Sequence, residues 1–132
     1  MAKPIRSQEA AQAISEEQWV PVLAQFTREN RGAHARLEVI GVDEIGYAVE
    51  TEDRPFGGVS ADTKDRERAV WFTFGETPKD HLTHGIQNVS VIRIIPSTSN
   101  RGAVLEVEAT DGSRTVLTLS RPEEYELPPA RS

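Results

Sequence analysis

Hydrophobic and polar positions change period once along this chain, and the change separates one helix from a series of strands. Trp19, Val22, Leu23 and Phe26 recur at three- and four-residue spacing, which gathers them on one stripe of an α-helix. Ser15-Glu16-Glu17-Gln18 in front of the stripe has the form of a capping box, in which a serine hydroxyl and a glutamine side chain satisfy the free amides of the first turn. Gly32 suits the left-handed residue that ends a helix. Pro21 conflicts with a cap at Ser15, because it then falls beyond the first turn. It must kink the helix or push its start toward residue 19 or 20.

After Gly32 the period is two. Ala35, Leu37 and Val39 alternate with Arg36 and Glu38, as in a half-buried strand. Residues 42–46 read as a turn, and Tyr47, Val49 and Thr51 resume the alternation. Pro55, Gly57 and Gly58 break it, and the polar run 60–68 predicts an exposed loop. Val70, Phe72 and Phe74 form the next inward face, with Trp71 on the other side. A turn over 75–80 leads to a strand at 81–86. Val89–Ile95 is apolar on both faces, which predicts a central strand covered on each side. Residues 96–102 read as a loop. Asp111-Gly112 between two alternating runs predicts a two-residue hairpin in which both central residues take positive φ.

There is no internal repeat and no parallel βαβ rhythm. One N-terminal amphipathic helix packed on a strongly bent antiparallel sheet or partial barrel of about six strands is an α+β domain. It is expected over residues 15–120, with a flexible arm at 1–14 and a flexible, proline-bearing tail at 121–132.

A chain of 132 residues, 37% hydrophobic and 27% charged, has room for one domain with a core and not for two. Cysteine is absent, which excludes disulfides, thiol nucleophiles and thiolate metal sites. A net charge of −6 and a pI near 5.1 argue against nucleic acid or an anionic membrane as partner. Glu9, Glu16 and Glu17 interrupt the region where a secretory signal needs unbroken hydrophobicity, and no apolar run approaches the roughly 20 residues that span a bilayer. The expectation is a soluble cytoplasmic protein.

Chemistry concentrates in Asp80-His81-Leu82-Thr83-His84. Asp80, His81, Thr83 and His84 are the binding candidates, since imidazoles exchange protons near neutral pH and carboxylates or hydroxyls orient them. If the segment is a strand, alternation sends residues 81 and 84 to opposite faces, with His84 beside Leu82 and Ile86, and the two imidazoles converge only on a helical turn or a bulged loop. A hydrogen-bonded, largely buried His84 is the simpler reading of that position. Metal sites need three or four ligands, and only His34 remains as a third histidine, so no metal and no cofactor is expected.

Arg54-Pro55-Phe56-Gly57-Gly58-Val59 lacks the pattern of a phosphate-binding loop, and a bend or bulge explains its paired glycines better. Trp71, Phe72 and Phe74 lack the interleaved cations of a nucleic-acid platform. Glu50, Glu52 and Asp53 read as solvated surface, and no GxSxG elbow marks a nucleophile.

Taken together, Trp19, Phe26, Asn30-Arg31-Gly32, Leu37-Glu38-Val39, Gly46, Pro55–Val59 and His81-Leu82-Thr83-His84-Gly85-Ile86 fall in an order that resembles a family of small bacterial proteins catalogued only as a domain of unknown function. The resemblance covers about residues 16–120, and HLTH followed by isoleucine is its most specific element. It implies a short stand-alone bacterial domain, carries over no activity, substrate or cofactor, and makes the His81–His84 segment the first place to look.

With no complete catalytic set, the favoured function is a non-catalytic binding or regulatory module. Its partner would be a second copy (a homodimer) or another protein, met through the edge or face of the sheet. The alternative is a small hydrolase or isomerase using His81 or His84 as general base. A pocket holding both imidazoles would favour the enzyme.

Overall fold

The helical stripe forms α1, Trp19–Asn30, with Trp19, Leu23 and Phe26 buried. The protein is described by a computed structural model over residues 12–41, 47–75, 77–97 and 102–120. The expected turn at 42–46, the first eleven residues of the arm and the tail from 121 lie outside the described residues. Ser15 does not close a capping box. Its side chain makes no capping bond, and its carbonyl instead accepts from the Gln18 amide at 2.8 Å, closing a single 3₁₀ turn at Glu16–Gln18. The α-helix proper begins at Trp19, which leaves Pro21 in the first turn, where the missing amide has no intrahelical acceptor to lose. Gly32 ends the helix at φ +91°.

Ahead of the helix, Gln12–Ala13 is a short strand, β1, inside the stretch expected to be an arm. Ile14 follows it and fastens the helix to the sheet. Its amide donates to the Ile92 carbonyl at 2.9 Å, and its own carbonyl accepts from Trp19 Nε1 at 3.0 Å.

The remaining strands are β2 His34–Ile40, β3 Tyr47–Asp62, β4 Ala69–Phe74, β5 Leu82–Ile86, β6 Val89–Ile95, β7 Val104–Ala109 and β8 Arg114–Ser120. They join β1 in one eight-stranded antiparallel sheet of order β1-β6-β7-β8-β2-β3-β4-β5. The class is α+β as expected, with more strands than six and no closure between β1 and β5.

The Pro55–Gly58 break does not end a strand. It bends β3, whose first half pairs with β2 and whose second half pairs with β4, across a register shift between Phe56 and Gly58. The run 60–68 is correspondingly shorter as a loop, because β3 continues to Asp62. β6 is not central. It stands second from an edge, beside the two-residue β1, and Val91 and Ile95 on its outer face are only half-buried. The final hairpin forms, but with a different turn. Among the described residues of that connection only Gly112 has positive φ, +93°, and its amide donates to the Ala109 carbonyl at 2.9 Å. A type I turn followed by a left-handed glycine needs one positive φ, not two.

Beyond the start of β2, where His34 pairs with Pro55, the exposed flank of β3 is sealed by the end of α1. Gly32 donates to the Phe56 carbonyl at 2.9 Å, and the Phe56 amide to the Ala33 carbonyl at 2.8 Å. The Arg31 guanidinium reaches the Gly57 carbonyl at 3.2 Å. The buried Thr27 hydroxyl both accepts from the Val59 amide at 2.9 Å and donates to the Val59 carbonyl at 3.1 Å. Gly58 permits this approach, since a Cβ there would lie 3.2 Å from the Thr27 methyl.

One core results, with Trp19, Leu23 and Phe26 packed among Leu37, Phe56, Phe72, Phe74, Ile92, Leu105 and Leu117. Phe26 meets Phe56 edge-on, ring centroids 5.9 Å apart, and Phe72 stacks on Phe74 at 6.3 Å. Strands near both ends of the order share this cluster, and Val89 at the start of β6 donates to the carbonyl of Arg68, just before β4, at 2.9 Å. The sheet therefore curls around the helix.

Candidate functional site

The segment singled out by its histidines is the far edge of the sheet, and its approach is tightly built. Gly75 leaves β4 at φ +101°, and its amide donates to the Pro55 carbonyl at 2.8 Å. A Cβ on Gly75 would overlap the Asp80 carbonyl oxygen at 1.6 Å, so only glycine lets the chain double back here. A 3₁₀ turn, Pro78–Asp80, follows, with the Asp80 amide donating to the Thr77 carbonyl at 3.0 Å and lying 3.2 Å from the Thr77 hydroxyl. The Asp80 carboxylate is met by Arg54 Nη1 at 3.0 Å. That pair is half exposed and contributes little stability, but it ties the entry of β5 to the bend of β3.

β5 then pairs with β4 in unbroken register: Leu82 with Phe74, Thr83 with Thr73, His84 with Phe72, Gly85 with Trp71 and Ile86 with Val70. Leu82 and Ile86 pack against the core, and His84 shares their face, half-buried and not sealed. His81 and Thr83 are exposed. The two histidines are therefore not brought together. Among the described residues the side chains of His81, Thr83 and His84 have no hydrogen-bond or ionic partner, and Asp80 turns to Arg54 instead of either imidazole.

Beside them lies Trp71, which the alternation of β4 places on the face opposite Val70, Phe72 and Phe74. Trp71 is 40% exposed, and the six-membered part of its indole covers Gly85, where a Cβ would come within 2.3 Å of the ring. An aromatic ring thus rests on the edge strand, at a place where any side chain larger than hydrogen would displace it. Phe72 and Phe74 are core residues, as expected.

Three clefts among the described residues lie elsewhere. One of about 310 Å³ runs between α1 and β6, lined by Val22, Phe26, Glu29, Ile94 and Ala103 among others. Two smaller ones, of about 220 and 230 Å³, are lined by residues including His34 and Glu52, and Arg66 and Asn88, respectively. None of the three includes His81 or His84. No group of three or more histidine, aspartate or glutamate residues among those described is placed to hold a metal ion. The glycine pair at 57–58 is explained by the β3 bend and the close passage of Thr27 and Thr73. Glu50 is exposed and Glu52 is bound by Arg36 at 2.6 Å, while the Asp53 side chain lies outside what is described.

A family model described as a family of unknown function, DUF5335, matches residues 10–128, which takes in every described strand and the helix. The chain belongs to DUF5335. No curated protein and no solved structure matches it. In this DUF5335 chain the sequence reasoning missed Arg54 as the partner of Asp80 and Trp71 as the cover of Gly85. The first pair is separated by 26 residues, and the second depends on strand register. Neither has a local signal.

Proposed function

We propose that this DUF5335 domain is a non-catalytic binding or regulatory module that engages a protein partner through the edge of β5. The observation that carries the reading is the open edge itself. β5 ends the strand order, pairs on one side only, and contains no charged residue and no proline. Exposed edges with those properties accept a further strand, main-chain hydrogen bonds supplying affinity and alternate side chains supplying selectivity. Thr83 and His84, on opposite faces and without partners, would read the incoming strand, with His81 and Asp80 at its entrance. The charge of −6 and the absence of cysteine support a cytoplasmic setting and a partner that is neither nucleic acid nor an anionic membrane. No helix among the described residues is long and apolar enough to cross a membrane.

The hydrolase or isomerase reading, with His81 or His84 as general base, is disfavoured. A base needs an orienting group and a pocket. Asp80 is held by Arg54, the imidazoles face apart, and none of the three clefts described above includes either of them.

Panning a library of extended peptides against the purified domain tests the proposal. Enriched peptides should move the amide resonances of Leu82–Ile86 and leave the α1–β6 cleft unshifted. Shifts confined to that cleft, with β5 unmoved, would overturn it.

A further inference from the structure

Natural sheets guard an open edge with lysine, proline, a bulge or a covering segment. β5 has none of these over Leu82–Ile86, and its register with β4 is regular. Its composition also carries an internal symmetry. Reading outward from His84, the flanking residues are Thr83 and Gly85, both exposed, then Leu82 and Ile86, both half-buried against the core.

Antiparallel strands from two identical chains are related by an axis perpendicular to the sheet, and directly opposed residues point to the same face. Such an axis passes through a residue that meets its own copy. Of the available centres, only His84 brings all five residues of β5 into the pairing. Leu82 then lies opposite Ile86 of the second copy, which continues the apolar core face from one molecule into the next. Thr83 lies opposite Gly85 of the second copy, the glycine covered by Trp71. Each half-exposed indole thus gains a neighbour, the threonine methyl of the other chain, on the side where the edge now leaves it open.

Beyond the strand only His81 continues the register, opposite Gln87 of the second copy, because Asp80 lies in the 3₁₀ turn with its carboxylate on Arg54 and Asn88 takes positive φ, +56°. No like charges are opposed, although the chain as a whole carries −6. We propose that two copies of this chain pair antiparallel through β5 about a two-fold axis at His84, forming one continuous sheet across a homodimer. The proposal rests on the β5-edge reading above and names the occupant of that edge.

Sedimentation velocity over a range of concentrations is the first test. The wild-type protein should shift from monomer to dimer as concentration rises, and His84→Lys should weaken the dimer by about tenfold or more, because two cations then face each other at strand-pair distance. His84→Glu should do the same, and an equimolar mixture of the two variants should restore a dimer. Register is read separately, using the absence of cysteine in the natural chain. Under mild oxidation His84→Cys should crosslink two chains, since opposed Cα atoms in a strand pair lie within disulfide reach. Leu82→Cys and Thr83→Cys, which do not meet themselves, should remain monomeric on a denaturing gel. A wild-type protein that stays monomeric at millimolar concentration overturns the dimer without reference to any variant. Crosslinking at Leu82→Cys or Thr83→Cys in place of His84→Cys overturns the axis. A monomeric protein whose Leu82–Ile86 amides still respond to library peptides would refute self-pairing and leave the binding-module reading standing. A monomer that binds no strand peptide would refute both.

Discussion

Thr51 offers a test of the core in which the expected sign is unusual. It lies on the inner face of β3 opposite Leu37, 6% exposed, and its hydroxyl oxygen has no hydrogen-bond partner. A buried hydroxyl without a partner costs roughly 1–3 kcal/mol relative to one in water. Thr51→Val keeps the β-branch that suits a strand and exchanges the hydroxyl for a methyl of similar size. It removes that penalty and adds buried apolar surface, so the variant should be more stable by about 1–2 kcal/mol. With an unfolding entropy of about 2.1 cal/mol/K per residue over 132 residues, this corresponds to a rise in Tm of roughly 4–7 °C. Thr51→Ser is the matched control. It keeps the unpaired hydroxyl, loses the methyl, and should be less stable than wild type by about 1 kcal/mol. Differential scanning calorimetry together with urea unfolding measures both. A Thr51→Val protein no more stable than wild type would mean that the hydroxyl is satisfied in solution and that water reaches the inner face of β3.

Two further outcomes concern turns. Asp65 and Arg66 both have positive φ, +55° and +68°, within the turn closed by the Glu67 amide on the Lys64 carbonyl at 2.9 Å. Arg66→Gly should therefore raise stability by about 0.5–1 kcal/mol in urea unfolding, and a loss would contradict the left-handed geometry. At Asp111 the carboxylate accepts from the Ser113 amide at 2.9 Å and hydroxyl at 2.7 Å, and these bonds, the backbone one foremost, hold its pKa below the ordinary 3.8. A depressed carboxylate pKa contributes stability above the unfolded-state value and loses it as pH falls through the folded-state value. The stability difference between wild type and Asp111→Ala should thus shrink as pH drops below about 4. A difference that stays constant from neutral pH to pH 2 would refute the assignment.

The parts of the fold carried by periodicity were legible because a period is a local property. The Trp19–Phe26 stripe and the inward faces of β2, β4, β7 and β8 each report burial within a few residues of themselves. Features that depend on which strand lies beside which were not legible. Pro55-Phe56-Gly57-Gly58 looks like an interruption when read alone. It becomes a bend inside one strand of 16 residues only because Thr27 of α1 and Arg31 just after it lie along one flank while β4 pairs along the other. Val89–Ile95 is apolar enough to suit a central strand, yet its neighbour β1 is two residues long. At the candidate site, alternation correctly separated His81 from His84. It overstated the burial of His84, because a residue on an edge strand has a neighbour on one side only, which composition does not reveal.

The bend of β3 creates two flanks that the molecule treats differently. Past the start of β2 at His34, β3 exposes the main chain of Phe56–Val59, and the protein covers it group by group: two backbone bonds with Gly32 and Ala33, one guanidinium, and a threonine hydroxyl serving as both donor and acceptor. Unpaired main-chain groups within a sheet are costly enough to demand such cover when water cannot reach them. On the opposite side of the same wing, past β4, nothing comparable covers β5 among the described residues. Solvent satisfies its free amides and carbonyls, so the open edge costs the isolated molecule little. That is also the condition under which a second strand gains most, because it replaces water along five residues already held in register by β4 and covers the indole that rests on Gly85. A helix that seals one edge of the wing and a sequence that leaves the other uncharged make β5, and not β3, the edge open to the proposed second strand.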